Sequence, residues 1–375
     1  MNARCLGPLL TGWVAGWLIA GRRVDVLVPV PAARASITVV VPARNEARRL
    51  PNLLSRLAAE PGEPLEVLVV DDASIDCTAE VARQFGASVL RVDPPDGWMG
   101  KSYACWEGAC RARGEILVFL DADTEPAPGA VAALATLAAQ DDGLVSVQPW
   151  HRTERAYEWL SACCNLVAVL GSGTGRSSPR RRWWRRPMAF GPALAMRTAT
   201  YFRVGGHSAV RDSITEDLAL ARQVDAAGMP VHVRLGGESL RFRMYPDGIG
   251  QLVEGWTKNL AVGAAATPPL RLLAVTAWVA GALGAALTLG RAGWRAAGER
   301  QPPRRDLALA SLVYVMFVVQ TRLLLRRVGG FGPASAFYPV PLGAFVALWT
   351  RSALLVRVRR RVTWRGRGIT LDRSR

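Results

Sequence analysis

The sequence predicts an α/β fold with a mostly parallel sheet, preceded by a short membrane anchor and followed by transmembrane helices. Three observations lead there. Apolar, β-forming runs alternate with helix-length segments between Ser36 and Asp123, the rhythm of a doubly wound sheet. Three of those runs end in acidic residues, and ligands of such sheets bind beyond the carboxyl ends of the strands. The remaining apolar residues collect near the N-terminus and after Leu270, flanked by arginines.

Leu6 to Ala20 is apolar and is followed by Arg22 and Arg23. It is short for a span, which needs about 17 to 25 residues, and lacks the basic n-region and cleavage site of a signal peptide. Residues 1–28 therefore read as an uncleaved anchor with its arginines on the cytoplasmic side. A Pro/Ala linker, Pro29 to Ala35, leads to a strand, Ser36 to Val41, that ends in Pro42-Ala43-Arg44-Asn45-Glu46. Arg48 to Ala59 carries Leu50, Leu53, Leu54 and Leu57 at helical spacing. Leu65 to Val70 is a second strand and ends in Asp71-Asp72-Ala73-Ser74-Ile75-Asp76; Thr78 to Phe85 is helical and Ser88 to Val92 a third strand. The loop Pro94 to Lys101 precedes a helix, Ser102 to Arg113. Ile116 to Leu120 is apolar throughout, as a strand buried on both faces must be, and it ends at Asp121 and Asp123.

Side chains at i and i+2 of extended chain point the same way, so these two carboxylates can share one hard cation such as Mg²⁺. A solvated turn is the other reading, and Pro126 and Pro128 suit it. The chain has 375 residues, half of them apolar, and a net charge of +17. Basic residues beside apolar segments suit a membrane bearing anionic lipid, and no nucleic-acid partner is expected. Six cysteines without C-x-x-C spacing argue against zinc or a redox dithiol and suit reduced cytosolic thiols. His151, His207 and His232 are far apart and read as structural.

The motifs Val39-Val40-Val41-Pro42-Ala43-Arg44-Asn45-Glu46, Val70-Asp71-Asp72-Ala73-Ser74-Ile75-Asp76-Cys77-Thr78 and Asp121-Ala122-Asp123 occur together and in order. They resemble the family-2 glycosyltransferases over roughly Ile37 to Gly263. Phe190-Gly191-Pro192-Ala193-Leu194-Ala195-Met196 looks like that family's acceptor-side strand, and Ile214-Thr215-Glu216-Asp217-Leu218 like its E-D motif. Arg243 to Gly248, Glu254-Gly255-Trp256-Thr257-Lys258-Asn259 and Val362 to Arg367 are similar to the carotenoid-acid glucosyltransferases of the diaponeurosporenoate type. The hopanoid-associated enzymes are close relatives. The resemblance implies a GT-A domain in residues 36–263, a nucleotide-diphosphate sugar donor with a lean to UDP, and Mg²⁺ or Mn²⁺.

Asp123 is the expected principal metal ligand, with Asp121 reaching the ribose or a metal-bound water. The resemblance implies that Asp72 accepts from the uracil and Glu46 holds the ribose, with Pro42, Arg44 and Asp76 on the same rim. Asp72 also suits a turn. Lys101, in a Gly-bearing loop ahead of a helix, is expected to meet diphosphate oxygens. Ser213 and Glu216 spell a capping box, which puts Asp217 in the first turn of a helix running to Ala227. Asp217 is the candidate general base, although a carboxylate there also serves the helix dipole. One base and no second covalent carboxylate implies inversion, by analogy with inverting hydrolases. Gly191, Glu216, Trp256 and Lys258 are assigned to the acceptor and diphosphate side, with core packing as the rival role for Trp256.

Arg176 to Arg186 holds six arginines around Trp183-Trp184, and with Trp159 to Leu170 it suits docking in a membrane interface. Leu270 to Gly290, Leu307 to Leu325 and Ala334 to Val356 are each long enough to span, within a transmembrane region 264–357 and ahead of a basic tail 358–375. Three spans after a cytoplasmic domain would leave that tail outside, against the positive-inside rule. The basic loop from Arg291 to Arg305 would be outside as well, so either the third segment, which Pro339 and Pro341 interrupt and which is kinked or re-entrant, does not fully cross, or one span is misread. The sequence thus points to a multi-pass, inverting glycosyltransferase of the cell membrane, its catalytic domain cytoplasmic and its acceptor lipid-soluble. A processive polysaccharide synthase is the alternative within the class. Against it, processive members carry Q-x-x-R-W, whereas here Gln251 stands five before Trp256 and Gly255 precedes the Trp. A sugar nucleotidyltransferase or a non-catalytic membrane scaffold are the alternatives from other classes.

Overall fold

The computed structural model describes residues 3–21, 25–62, 65–173, 175–176, 187–213, 215–298, 304–355, 361–364 and 367–370, with backbone alone at 3–5, 175–176, 262, 361–364 and 367–370. Arg22, Arg23, Ile214, Trp183-Trp184 with the arginines from Arg180 to Arg186, and most of the tail lie outside the described residues.

In chain order the elements begin with α1 (Ala3–Ala20), β1 (Ile37–Ala43), α2 (Leu50–Ala58), β2 (Glu66–Asp72), α3 (Thr78–Gln84) and β3 (Ser88–Val92). Next come α4 (Gly100–Arg111), β4 (Ile116–Leu120), β5 (Thr124–Pro126), α5 (Ala130–Asp141), β6 (Leu144–Gln148), β7 (Trp150–His151), α6 (Ala162–Ser172) and β8 (Gly175–Arg176). β9 (Ala193–Arg197), α7 (Thr198–Arg203), α8 (Glu216–Ala226), β10 (Val231–Leu235) and β11 (Leu240–Phe242) follow. Last are α9 (Ile249–Ala266), α10 (Pro269–Gly298), α11 (Arg304–Val328), α12 (Pro339–Leu354) and the paired β12 (Arg361–Trp364) and β13 (Arg367–Thr370).

The chain divides into two compact units: Val24–Arg152 with Thr174–Arg243, and Met1–Arg23 with Thr153–Gly173 and Met244–Arg375. The expected 36–263 boundary therefore does not coincide with either, since Thr153–Gly173 and α9 group with the helices.

In the first unit an eight-stranded sheet runs β3-β2-β1-β4-β9-β6-β10-β8 among the described residues. β1, β2, β3 and β4 are mutually parallel, as are β6 and β10, whereas β9 lies antiparallel to β4 and β6. Alternation along the strands builds two cores. Val39, Val41, Ile116, Val118 and Leu120 face α2, where Leu50, Leu53, Leu54 and Leu57 supply the apolar stripe, and α5. Val40, Val70, Leu117 and Phe119 face α4, α7 and α8. Both faces are covered, which is why these strands are apolar at every position rather than at every second one. A Cβ at Gly108 would stand 2.4 Å from Val40 Cγ1, so a glycine in α4 lets that helix lie close on the sheet.

In the second unit α1 lies along α10 at small residues. A Cβ at Gly12 would stand 2.5 Å from the Ala277 carbonyl oxygen, and one at Gly16 2.4 Å from the Trp278 ring. This is the close approach that G-x-x-x-G spacing permits. Trp278 Nε1–H donates to Gln320 Oε1 (3.0 Å), and Gln320 Nε2 donates to the Trp13 carbonyl (2.7 Å), tying α1, α10 and α11 through one buried amide. Arg271 donates to the carbonyls of Ile19 and Leu170 at 3.4 and 2.9 Å, and Arg327 to that of Ala20 at 3.2 Å. These arginines satisfy carbonyls left open at the ends of α1 and α6.

α10 and α11 are long and apolar enough to cross a membrane. The third expected span is corrected: Gly332–Ser335 forms a separate 3-10 turn, and α12 has 16 residues, about 24 Å against a hydrocarbon core of about 30 Å. The interface reading of Trp159 to Leu170 is also corrected. Ala162, Cys163, Cys164, Leu166, Val169 and Leu170 are buried, and α6 packs against α10, α11 and α12. The five described cysteines, Cys77, Cys105, Cys110, Cys163 and Cys164, are free.

Candidate active site

β1 and β2 are parallel neighbours in register at Pro42–Val70 and Ala43–Asp71, so the loops that leave them run side by side. Asn45 and Ala73 turn the chain at φ of 53° and 49°, a region that Asn tolerates better than Ala. The loops are stitched together. Asn45 N–H donates to Ser74 Oγ and Ile75 N–H to Asn45 Oδ1, both at 2.9 Å, and Glu46 N–H donates to Thr78 Oγ1 at 2.9 Å. Asp76 takes Ala47 N–H on Oδ2 (3.3 Å) and Thr78 N–H on Oδ1 (3.0 Å), so it fastens this rim and starts α3. On the rim the buried Glu46 and Asp72 are charge-matched: Arg49 Nη1 lies 2.7 Å from Glu46 Oε2, and Arg44 Nη1 3.5 Å from Asp72 Oδ2.

At the end of β4 the chain turns instead of running on extended. Thr124 N–H and Oγ1–H both donate to the Asp121 carbonyl, at 3.0 and 2.7 Å. The shared orientation expected for Asp121 and Asp123 does not follow from strand alternation. Because β9 is antiparallel to β4, with Leu120 opposite Ala193, Gly191 and Pro192 arrive beside Asp121, whose N–H donates to the Pro192 carbonyl (2.9 Å).

Lys101 sits in the first turn of α4, not in the preceding loop. Its Nζ lies 2.6 Å from Asp121 Oδ1 and 3.2 Å from Glu216 Oε1, and it approaches the Gly191 carbonyl at 3.5 Å. Burial works against its charge, but Asp121 and Glu216 outweigh burial and raise its pKa well above the ordinary lysine value. α8 begins at Glu216 without a side-chain cap. The expected capping box is not formed: Thr215, not Ser213, stands at the N-cap, so Glu216 is the first helical residue rather than the third, and its carboxylate is turned to Lys101.

Asp217, one residue on, is half-buried and accepts from Leu218 N–H at 2.8 Å. Desolvation, and then the neighbouring Glu216 charge, push its carboxyl up to about 6, with Lys101 and the N–H groups of Leu218 and Gly191 opposing. Four segments distant in sequence thus meet: Lys101, Asp121, Gly191 and Glu216-Asp217. Ser146, which the sequence did not flag, holds this arrangement from below. Buried in β6, it donates to the Phe190 carbonyl (3.1 Å) and accepts Phe190 N–H (2.6 Å), next to Gly191.

Among the described residues no three His, Cys, Asp or Glu side chains form a preassembled metal set. The oxygen donors of Asp121 and Asp123 fit a hard divalent ion held by one or two carboxylates and completed by substrate phosphates. The histidines are structural. His207 is buried against Tyr201, whose hydroxyl is 2.9 Å from Nδ1, and burial lowers its pKa to about 4. His151 is buried beside Phe242, and His232 Nε2 lies 3.1 Å from Asp141 Oδ2.

Trp256 and Lys258 belong to the helical unit. Trp256 is buried there, its Nε1–H donating to Ser161 Oγ (2.9 Å) and its ring edge-on to Tyr245. A Cβ at Gly255 would stand 2.3 Å from the Tyr245 ring. The position ahead of the Trp has no room for an arginine.

Residues 38–219 match the description of glycosyl transferase family 2. A 4,4'-diaponeurosporenoate glycosyltransferase of Staphylococcus aureus is 33% identical over 347 residues, 90% of this chain and 89% of that protein. Its Staphylococcus haemolyticus counterpart is 38% identical over 254 residues, 66% of this chain and 67% of that protein. A solved mannosyltransferase from Pyrobaculum calidifontis, in complex with GDP-Man and Mn²⁺, superposes with a TM-score of 0.54 at 21% identity, over 94% of this chain and 96% of that one. That likeness speaks to the GT-A-like fold. With the fold, the rim motifs and relatives alike over most of its length, the chain belongs to the family-2 glycosyltransferases.

Proposed function

We propose that this protein is an inverting hexosyltransferase that takes a nucleotide-diphosphate sugar, by preference a UDP-sugar. The acceptor is a lipid-soluble molecule such as a carotenoid acid, a hopanoid or a related isoprenoid. The observation that carries this is the Asp217 carboxyl, pushed up to about 6 beside Gly191 and Lys101. As the acceptor oxygen bonds to the anomeric carbon, the bond to the diphosphate breaks, and the proton of a hydroxyl acceptor passes to Asp217. A base is most effective with its pKa near the working pH. No carboxylate captures the sugar on the way, so the configuration inverts.

Glu46 and Asp72, held by Arg49 and Arg44, offer acceptor oxygens to the ribose and base at the rim beyond Pro42, while Asp76 keeps the two loops together. Lys101 sets its ammonium where the diphosphate leaves. A divalent ion, Mg²⁺ or Mn²⁺, held by Asp123 with Asp121, supplies Lewis-acid neutralisation of the departing charge when bound.

The likeness to carotenoid-acid enzymes and the two long apolar helices support a membrane setting. In this reading α10 and α11 cross and return, α12 does not cross, and the basic tail stays on the cytoplasmic side with the catalytic unit; the positive-inside rule is met by the tail and opposed by the basic loop from Arg291 to Arg305, which lies outside.

Incubating membranes with labelled nucleotide sugars and analysing the lipid extract by mass spectrometry tests the proposal. A labelled glycolipid made by the native protein and not by Asp217→Asn is expected. A labelled polymer or pyrophosphate release would refute it, as would full activity of the variant toward a hydroxyl acceptor. A carboxyl acceptor is already ionised at any pH where Asp217 is, so the variant would keep activity toward it while losing activity toward a hydroxyl.

A further inference from the structure

Spacing by four on α10 puts Ala286, Gly290 and Trp294 on one ridge and Leu287, Arg291 and Arg295 on the next. A shallow groove of about 360 Å³ runs between them. Its character changes along the helix. Ala286, Leu287 and Gly290 make an apolar stretch, and the following turn adds two guanidinium groups and an indole. Leu287 is 59% exposed and Trp294 84%. Neither arginine is paired with another described residue.

Position along the helix gives the groove its meaning. From Arg271 to Arg291 α10 carries no charged residue, and that stretch spans about 30 Å at 1.5 Å per residue, the thickness of a bilayer's hydrocarbon core. Arg271, capping α1 and α6, marks one interface, and Arg291 then stands at the other, where Trp is enriched. α11 begins at the same hairpin end with Arg304 and Arg305. Arginine matches phosphate in bidentate fashion. A zwitterionic headgroup would add its own cation to this cluster, whereas an anionic one adds none.

We propose that this groove binds an anionic phospholipid of the bilayer. Its phosphate sits between Arg291 and Arg295, Trp294 lies at headgroup level, and an acyl chain runs along Gly290 and Leu287. The inference rests on the reading that α10 and α11 cross the membrane. It also gives the basic loop at this end a counter-charge that does not depend on which side it faces.

Full-length protein in phosphatidylcholine nanodiscs, with and without phosphatidylglycerol, is the test, with retained lipid counted by native mass spectrometry. The native protein should retain phosphatidylglycerol selectively. Arg291→Ala with Arg295→Ala should weaken retention roughly thirtyfold, about fivefold for each arginine at a membrane surface. Gly290→Leu should also abolish it while keeping both charges, and because no atom lies within 4 Å of a Cβ at Gly290 the helix accommodates the change. Equal retention of the two lipids by native protein, or undiminished retention by Gly290→Leu, would overturn the proposal. Carbonate washing of cell membranes separates the two failures. Release of the protein sinks the membrane reading together with the groove, whereas firm membrane attachment without lipid preference sinks the groove alone.

Discussion

Gly191 and Asp217 stand too close for any side chain to come between them. A Cβ at Gly191 would lie 3.2 Å from Asp217 Oδ2 and 3.2 Å from Lys101 Nζ, tighter than ordinary contact. Gly191→Ala must displace one of the two charged groups by a few tenths of an ångström. kcat/KM should fall roughly tenfold to a hundredfold, since small misplacements in a site carry such penalties. The melting temperature should stay near native, and steady-state kinetics beside a thermal melt check both.

Asp217→Asn should lower kcat by roughly 10² to 10⁴ with donor affinity kept, the range for loss of a general base. In the native enzyme the active form is the carboxylate, so the rate should rise with pH through about 6 and level off above it. The stability effect has the opposite sign. The folded state holds the Asp217 proton more tightly than the unfolded chain does, so its contribution is present below 3.8 and is lost as pH rises to about 6. Asp217→Asn should therefore melt higher than native near neutral pH, by on the order of 1 kcal/mol, and the difference should vanish in acid. Melting curves across that range decide it.

Lys101→Met removes the cation between Asp121 and Glu216. Because Lys101 also lowers the Asp217 pKa, the acid limb of the pH–rate profile should move to higher pH. Stability should drop by about 1 kcal/mol, a modest figure because the lysine side chain is 34% exposed. A profile that keeps its midpoint while activity falls would restrict Lys101 to the donor.

Chelation should stop transfer, and Mg²⁺ or Mn²⁺ should restore it. Asp123→Asn should need more metal for half-maximal activity than the native enzyme, read from a metal titration. An unchanged requirement would remove Asp123 from the ion.

Gly12→Leu forces α1 away from the Ala277 carbonyl. Overpacking of this kind costs about 1 to 3 kcal/mol, which a melt of the detergent-solubilised protein would register.

Four strands of the sheet, β1 to β4, were legible from the residues, most plainly where a buried parallel strand is an unbroken apolar run, as Ile116 to Leu120 is; β9 was marked by the resemblance alone, and β6 and β10 were not read. The helices α2, α3 and α4 came within about two residues for the same kind of reason, since Leu50, Leu53, Leu54 and Leu57 mark one face whatever lies opposite, whereas α10 runs eight residues beyond the expected Gly290. The capping box was not. Ser213 and Glu216 have the right spacing, yet the helix begins at Glu216 behind Thr215, and the Glu216 carboxylate meets a lysine 115 positions away in sequence. Ala334 to Val356 is long and apolar enough for one span, and Pro339 and Pro341 marked it as kinked or re-entrant; the fold starts a separate, shorter helix at Pro339. Trp256, a candidate for closing on the diphosphate, is engaged in packing because Tyr245 and Ser161 come to it in the fold.

Residue types and local spacing were enough to determine the first four strands, the carboxylates at their ends, the acidic first turn of α8 and the two long apolar helices. These depend on neighbours a few positions apart. Only the tertiary structure decided that Lys101 binds Asp121 and Glu216, that Ser146 and Gly191 shape the space beside Asp217, and that α1 locks onto α10. Each of those needs atoms far apart in the chain to come within a few ångströms, and charge and steric forces select partners only at that range.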